Sequence, residues 1–361
     1  MQSSTTVTPA RQRAAVIHGT RDLRVDALAV PTPQAGEALV QVRAVGICGS
    51  DFGYLSGAAK YPVKAPFVLG HEASGVIAGL GEQTTDAAGS ATPLAVGTRV
   101  ALVPGSSCGE CDSCLAGWDN LCPNVTYLGS AATDPHVDGA LQEYLVVPVG
   151  RLIAIPDSVS DAAAALLEPL AVAEHAVRRG QVSAENVLVV GGGAIGQLLA
   201  LCARAAGAAE VTICETQERR RQLALDHGAD HAVDPAGLEA LMNDGAHYDV
   251  VLDATGNPAV LDLGIRATTP GDGRLIIVGN LPADTGLPAE TVRRAEIWVT
   301  ATFRFPAGLD RALELVTSGL DIDWLVERSA DLDGLDEALA AAASADPPLK
   351  IQVSPNPAPT P

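Results

Sequence analysis

Short apolar runs separated by glycine and proline fill residues 14–155. Alternating or continuous Val, Ile and Leu over four to eight positions is typical of β-strands. The runs that carry this pattern are RAAVIHG, EALVQVRAVGI, GVIAGLG, TRVALVP and LQEYLVVP. We therefore predict a β-rich first domain of barrel type, interrupted by a cysteine-bearing segment at 103–122.

The pattern changes near residue 160, where DAAAALLEPLAVAEHAVRR predicts a helix. Further on, NVLVVGGGAIGQLLALCARAAG predicts a strand, a tight turn and a helix, and apolar strands and helices then alternate. Such alternation predicts a parallel, doubly wound α/β domain, which we place at 159–299.

From about residue 300 the chain is expected to return to the first domain and to end in the strand PPLKIQV. The predicted catalytic domain therefore comprises 14–158 and 300–353, with a lobe at 103–123. Residues 1–13 are expected to form a disordered lead, and the proline-rich residues 354–361 a loose tail.

Charge and composition narrow the possible partners. The formal net charge is −20 and the isoelectric point is near 4.6, which disfavours nucleic acid and anionic membranes. The sequence carries no apolar run of transmembrane length, and its start, MQSSTTVTPARQR, lacks the apolar core of a secretion signal. With seven cysteines, we expect a cytoplasmic protein that uses reduced thiols to bind metal.

The segment GGGAIG contains the pattern G-x-G-x-x-G at Gly191, Gly193 and Gly196. It follows an apolar strand and precedes an apolar helix, and Glu215 closes the next strand nineteen positions later. In a dinucleotide site the glycines allow a tight turn, close approach of the pyrophosphate and close helix packing, and the acid binds the ribose hydroxyls. We predict NAD; Arg219 and Arg220 leave NADP as the alternative.

Four cysteines lie close together in C-x₂-C-x₂-C-x₇-C spacing. They are Cys108, Cys111, Cys114 and Cys122. This spacing fits one tetrahedral zinc, which would have no open position and would serve structure only. An iron–sulfur cluster and a disulfide pair are the alternatives, although the last gap is longer than in the ferredoxin pattern.

A second set of candidate ligands is scattered along the chain. Cys48 lies in GICGSD, His71 and Glu72 lie in LGHEASG, and Glu168 lies in LLEPLAV. Thiolate, imidazole and carboxylate groups can bind a catalytic zinc that keeps one position open. Each residue taken alone also has an ordinary structural interpretation.

Together, these motifs occur in an order and at a spacing that resembles the zinc-dependent medium-chain dehydrogenases, in particular their polyol branch. The resemblance covers roughly residues 14–353 and rests on GICGSD, GHEASG, the four-cysteine segment, EPLAVAEHA, GGGAIG and TFRF. It implies a GroES-like β-barrel catalytic domain and a Rossmann domain that binds NAD.

The resemblance also implies roles for residues. A catalytic zinc would be held by Cys48, His71 and Glu72, with Glu168 binding either the metal or its water, and it would lower the pKa of a substrate hydroxyl before hydride passes to the nicotinamide. Ser50, Tyr54 and Arg304 are implied in proton transfer, the pocket wall and substrate contact. The implied cofactor contacts are Gly191, Gly193, Ala194, Ile195, Gly196, Glu215, Arg220, Val278 and Gly279. Gly53 replaces a relay histidine of many relatives, which leaves the proton path open.

Two further segments, LGSAATDPHVDGALQEY and ATFRFPAGLDRALELVTSG, resemble the bacterial members that oxidise L-idonate to 5-keto-D-gluconate. Sorbitol, xylitol or galactitol oxidation is the alternative, and an inactive NAD-binding protein is the alternative from another class. Relatives suggest a homodimer or homotetramer.

Overall fold

The structure is a computed structural model that describes residues 8–58, 61–82 and 94–356. Its strands are β1 (Arg11–Gly19), β2 (Asp22–Ala29), β3 (Glu37–Gly46), β4 (Phe67–Val68), β5 (Glu72–Leu80), β6 (Arg99–Leu102), β7 (Gly105–Ser106), β8 (Thr126–Tyr127), β9 (Tyr144–Pro148), β10 (Leu152–Ala154), β11 (Asn186–Val190), β12 (Glu210–Cys214), β13 (His231–Val233), β14 (Val250–Asp253), β15 (Arg274–Ile277), β16 (Trp298–Ala301), β17 (Val326–Ala330) and β18 (Lys350–Val353).

The helices are α1 (Gly49–Ser56), α2 (Asp112–Leu115), α3 (Asp161–Ala165), α4 (Leu167–Arg179), α5 (Ala194–Ala205), α6 (Glu218–Asp226), α7 (Pro235–Asn243), α8 (Pro258–Ala267), α9 (Ala289–Ala295), α10 (Asp310–Thr317) and α11 (Leu335–Ala342). Among the described residues, no helix combines the length and the apolar character needed to cross a membrane.

The chain divides into two compact units. Among the described residues, the first comprises those up to 168 together with 307–317 and those from 321 onwards, and the second comprises 169–306 and 318–320. In the first unit, a mixed sheet has the order β10-β6-β5-β3-β18-β17, with β9 pairing the start of β3. A three-stranded sheet (β2-β1-β4) and the pair β7-β8 complete it, over a core rich in Ala, Val, Leu and Ile.

The second unit contains a six-stranded parallel sheet in the order β13-β12-β11-β14-β15-β16. Counted from β11, this is the strand order 3-2-1-4-5-6 of the Rossmann fold, in which ligands bind at the carboxyl ends of the strands where the order reverses. The prediction of a doubly wound parallel sheet is therefore confirmed.

The two units differ from several predicted boundaries. Residues 159–168 belong to the first unit, where Ser74 Oγ donates to the carbonyl of Asp161 at the start of α3. Residues 300–306 belong to the second unit, because β16 pairs with β15 in its parallel sheet. The helix predicted over 161–179 is broken at Leu166, because Pro169 has no N–H with which to continue it.

The predicted lead and tail were also too long. Residues 11–13 are the start of β1, because they pair with residues 27–29. At the other end, Ser354 N–H donates to Ala330, and the Asn356 amide donates to the carbonyls of Val42 and Glu143. The parts of these two predictions that fall at 1–7 and 357–361 lie outside the described residues.

Candidate active site and metal centres

Three predicted ligands from two segments of the sequence come together in the first unit. The ligand atoms of Cys48, His71 and Glu72 all lie within 4.8 Å of one another. Cys48 directly precedes α1, and its N–H donates to Asp51 Oδ2 at 2.9 Å. Glu72 opens β5 opposite Gly46 of β3, where an added Cβ would lie 2.1 Å from Glu72 Oε2. A side chain at position 46 would therefore collide with the Glu72 carboxylate in this position.

Lys350 holds the Glu72 carboxylate from the far end of the chain. Its Nζ lies 2.5 Å from both carboxylate oxygens, and the two side chains are 6% and 1% exposed. Burial would lower the pKa of Lys350, but the charges of Glu72 and Cys48 outweigh it and raise that pKa. The Lys350 ammonium therefore stays charged and compensates the negative charge of the Glu72 carboxylate.

The surroundings of His71 favour a cation. Burial would lower the pKa of the imidazole, but Cys48, Asp51 and Glu168 raise it to about 10. Within the described residues, His71 Nδ1 and Asp51 Oδ1 are buried without a hydrogen-bond partner. Buried polar atoms that lack partners and a surplus of anionic groups are what a divalent metal would satisfy, so this donor set fits a catalytic zinc.

Glu168 lies in the first turn of α4 and is buried. Tyr127 Oη donates to its Oε1 at 2.7 Å, and the Tyr127 ring centroid lies 5.8 Å from that of His71. Burial raises the pKa of Glu168, and His71 counteracts part of that rise. Glu168 is near the three ligands but does not belong to the compact group that they form among the described residues.

The four clustered cysteines form the second metal-binding group, with all four Sγ atoms within 4.8 Å of one another. All seven cysteines of the chain are free thiols in the structure. The N–H groups of Glu110 and Cys111 lower the pKa of Cys108 to about 6, which favours the thiolate. Gly109 and Gly117 have φ of +75° and +80°, so the loop can fold around a single tetrahedral zinc.

The glycine turn of the second unit has the geometry that a pyrophosphate needs. Gly191 has φ of +97°, and a Cβ at Gly196 would lie 1.8 Å from the Gly191 carbonyl oxygen. A Cβ at Gly193 would have Arg220 Nη1 as its nearest neighbour, at 3.9 Å, so the backbone is approachable there. Ala194 and Ile195 open α5, whose first N–H groups have no carbonyl partner within the helix.

Glu215 directly follows β12 beside this turn. Its Oε2 accepts from Gly192 N–H at 2.6 Å, and its Oε1 accepts from Gln217 N–H at 2.8 Å. Burial would raise the pKa of Glu215, but these two hydrogen bonds and the charge of Arg220 lower it. The carboxylate is therefore ionised at neutral pH and fixed beside the glycine turn.

Val278 and Gly279 follow β15 at the same edge of the sheet. Both of their N–H groups donate to the carbonyl of Asp253 at 2.9 Å. A Cβ at Gly279 would lie 2.1 Å from Gly256 N, so the turns after β14 and β15 meet at backbone distance.

The remaining predicted residues are Ser50 and Tyr54, which follow Cys48 on α1, and Arg304 in the second unit. Ser50 is half-buried in the first turn of α1, and Tyr54, in the last turn, is buried with its hydroxyl 2.9 Å from Ser130 Oγ. Arg304 lies in the second unit with its guanidinium 4.9 Å from the Phe303 ring centroid and a left-handed φ of 53°.

Sequence reasoning missed three residues that contact the predicted ligands: Lys350, Tyr127 and Asp51. Lys350 had a readable signal, because it is a single charge within an otherwise buried strand. Tyr127 and Asp51 had none, since a tyrosine in a β-rich segment and an acid in a first helical turn are ordinary.

The group of Cys48, His71 and Glu72 on the first unit and the glycine turn on the second are the two sites that a zinc-dependent dehydrogenase needs. Comparisons with known proteins agree with this class. Residues 34–157 match the family described as alcohol dehydrogenase GroES-like domain, and residues 194–318 match the family described as zinc-binding dehydrogenase. The predicted GroES-like domain is thereby confirmed.

Similar individual proteins indicate which branch of this family the chain belongs to. The chain is 34% identical to sorbitol dehydrogenase of Bacillus subtilis, over 96% of this chain and 98% of that protein. The crystal structure of L-idonate 5-dehydrogenase from Escherichia coli matches with a TM-score of 0.87 and 28% identity, over 95% and 98% of the two chains. A zinc-binding dehydrogenase of Sinorhizobium meliloti bound to NADP matches with a TM-score of 0.86 and 30% identity, over 96% and 100%. The chain belongs to the polyol dehydrogenase branch of the zinc-dependent medium-chain dehydrogenases.

Proposed function

We propose that the protein oxidises a secondary hydroxyl of a sugar acid or polyol to a ketone with NAD, and that L-idonate, giving 5-keto-D-gluconate, is its substrate. The observation that carries the reaction class is the buried group of Cys48, His71 and Glu72, which provides a thiolate, an imidazole and a carboxylate. The L-idonate proposal is supported by the likeness to the Escherichia coli L-idonate 5-dehydrogenase.

In this proposal, Cys48, His71 and Glu72 hold the catalytic zinc and Glu168 lies beside it. Bound zinc supplies the Lewis acidity that lowers the pKa of the substrate hydroxyl. Ser50 would take part in passing the hydroxyl proton towards solvent, and other groups or water would complete the path, because Gly53 offers no side chain for a relay. Arg304 would contact a hydroxyl or carboxylate of the substrate, and NAD, when bound, would supply the acceptor for the hydride of the substrate carbon.

Charge balance supports a divalent metal in this place. Asp51, Glu72 and Glu168 are buried beside Cys48, and Lys350 is the buried ammonium among them. Lys350 compensates Glu72, and the metal would displace the proton that His71 holds beside Cys48, Asp51 and Glu168. Buried charges without such compensation are costly, so the anionic groups favour binding of the cation.

The cofactor proposed is NAD, because the ionised Glu215 would accept from the ribose hydroxyls and repel a 2′-phosphate. Arg220 lies close enough to Glu215 to lower its pKa, and an arginine here is the feature that could favour NADP. Binding of NADP by the Sinorhizobium meliloti protein makes this the alternative to measure.

The substrate proposal is tested with a panel of L-idonate, D-gluconate, sorbitol, xylitol and galactitol, each with NAD and with NADP. We expect kcat/KM to be highest for L-idonate with NAD. If only neutral polyols react, sorbitol is the better assignment, which the likeness to the Bacillus subtilis sorbitol dehydrogenase favours.

The metal-dependent reaction is tested with Cys48→Ser. We expect turnover to be abolished, zinc content to fall by one equivalent and NAD binding to remain nearly intact. Cys202→Ala is the matched control, because Cys202 is a buried thiol of α5 in the second unit. Retained activity of a zinc-loaded Cys48→Ser protein would refute the assignment.

We also propose a cytosolic homo-oligomer. The free thiols of all seven cysteines suit a reducing compartment. β16 is the edge strand of the parallel sheet and leaves Trp298 69% exposed, which suits pairing with a second copy. Light scattering after size exclusion gives the mass, and a monomer would contradict this.

A further inference from the structure

Tyr127 contacts the predicted ligands but has no role in the proposed reaction described above. It lies on β8, is buried, and places its hydroxyl 2.7 Å from Glu168 Oε1 while its ring lies beside the His71 ring. It therefore contacts one predicted ligand through a hydrogen bond and another through its ring.

The position of the Tyr127 ring is fixed by its own surroundings. β8 pairs with β7, and the ring packs beside Gly105 on the opposite strand, where an added Cβ would lie in van der Waals contact with Tyr127 Cε2, at 3.4 Å. The buried Arg151 donates to the carbonyls of Val103 and Pro104, which lead into β7, and Pro104 also accepts from Leu128 N–H. The β7–β8 pair and the hydrogen bonds from Arg151 therefore fix the Tyr127 hydroxyl beside Glu168.

The two glutamates near the ligand group are held by different donors. Lys350 holds Glu72, whose carboxylate belongs to the compact group. Tyr127 holds Glu168, which among the described residues lies outside that group. Since one position at a catalytic zinc must stay open for substrate, a carboxylate nearby must be kept from filling it.

We propose that Tyr127 is a positioning residue that holds Glu168 out of the coordination sphere of the catalytic metal and so keeps one position open. This rests on the proposed function of the Cys48, His71 and Glu72 group. Without the phenol, a buried carboxylate loses a charge-assisted hydrogen bond, and the bound metal becomes its best remaining partner. Glu168 would then ligate the metal, which would tighten metal binding and slow substrate entry.

The test uses Tyr127→Phe, which keeps the ring and removes the hydroxyl. Cobalt replaces zinc at the Cys48 group while the four-cysteine site retains zinc, and visible absorption reports the coordination of the cobalt. For Tyr127→Phe we expect a changed cobalt spectrum, an apparent metal dissociation constant lowered about tenfold in chelator competition, and kcat/KM lowered about tenfold. Tyr144→Phe is the matched control, because this buried tyrosine accepts from Gln41 and should leave all three quantities unchanged.

A double-variant comparison with Glu168→Gln identifies the route of the effect. If Tyr127 acts through Glu168, then Tyr127→Phe changes neither the spectrum nor the metal affinity once Glu168 is Gln. An unchanged spectrum in the single variant, or a change that persists in the Glu168→Gln background, would overturn the proposal. If instead Cys48→Ser retains full metal content, the proposed function itself has failed, and this outcome is independent of Tyr127.

Discussion

At the scale of single residues, the buried pair of Lys350 and Glu72 joins the last strand of the first unit to the predicted metal ligands. A buried pair of charges is costly to break, because removing one partner leaves the other uncompensated. Here the partners lie 278 positions apart, so their contact also links distant parts of the chain.

We expect Lys350→Met to lower the free energy of unfolding by about 3–5 kcal/mol, because Glu72 then remains buried without its ammonium. Urea unfolding followed by circular dichroism measures this loss. The control is Lys350→Met combined with Glu72→Gln, which removes both charges and should recover much of it. An unchanged urea midpoint in the single variant would show that Lys350 does not compensate Glu72.

In the second unit, Glu215 is the residue that we propose to set the choice between NAD and NADP. We expect Glu215→Ala to lower the ratio of kcat/KM for NAD over NADP by about 10- to 100-fold, because it removes both the hydroxyl acceptor and the charge that repels a 2′-phosphate. Steady-state kinetics with both cofactors measures the ratio.

The matched control for that experiment is Glu215→Gln. It removes the charge but keeps an oxygen that can accept from Gly192 N–H, so its effect should be smaller. An unchanged ratio in Glu215→Ala would remove Glu215 from this role.

At the scale of elements, α4 contains a histidine that links stability to pH. His175 is buried, and Arg178 Nη2 donates to its Nδ1 at 3.2 Å. Burial, together with the charges of Arg178 and Arg179, lowers the pKa of His175 to about 4 from an ordinary value of 6.5. The folded protein therefore keeps this imidazole neutral where the unfolded chain already binds a proton.

A lowered histidine pKa makes stability fall as pH falls, because the unfolded state then binds more protons. We expect unfolding midpoints to decrease from about pH 6.5 towards about pH 4, and His175→Gln to show a shallower decrease over that window. The slopes of the two proteins are compared, so a uniform loss of stability in the variant does not affect the result. Equal slopes would exclude His175 as a source of the pH dependence.

The helices and strands also show which features of the fold can be predicted from local sequence patterns. The strand–turn–helix at 186–205 was predictable, because apolar period and glycine spacing are local signals. The break at Leu166 was also predictable, because the proline at 169 is a local signal that interrupts a helix, whereas the start of β1 at Arg11 was not, since it depends on pairing with β2. Among the candidate ligands, resemblance identified Cys48, while no local pattern shows that Tyr127 meets Glu168 across 41 positions.

At the scale of the whole molecule, each unit carries its own ligand groups. Both metal-binding groups lie in the first unit, and the glycine turn and Glu215 lie in the second. A ligand stabilises the state that binds it, by about 2.7 kcal/mol when its concentration is 100 times its dissociation constant.

We therefore expect NAD and a zinc chelator to act on different amides in hydrogen exchange. NAD should slow exchange in residues 191–197 and 215–217, whereas chelation should speed it in 48–56 and 105–128. Mass spectrometry of peptides from the full chain measures both. Faster exchange confined to the second unit after chelation would contradict the placement of the metals.

The division of the chain also sets an order of completion during synthesis. All six strands of the parallel sheet have been made by residue 301, whereas the first unit still lacks β17 and β18. Glu72 therefore lacks its ammonium partner until residue 350 has been synthesised. The second unit, although inserted in the middle of the sequence, is the first that can fold completely, and the nascent first unit cannot bury the Glu72 carboxylate with its cationic partner until Lys350 has been added.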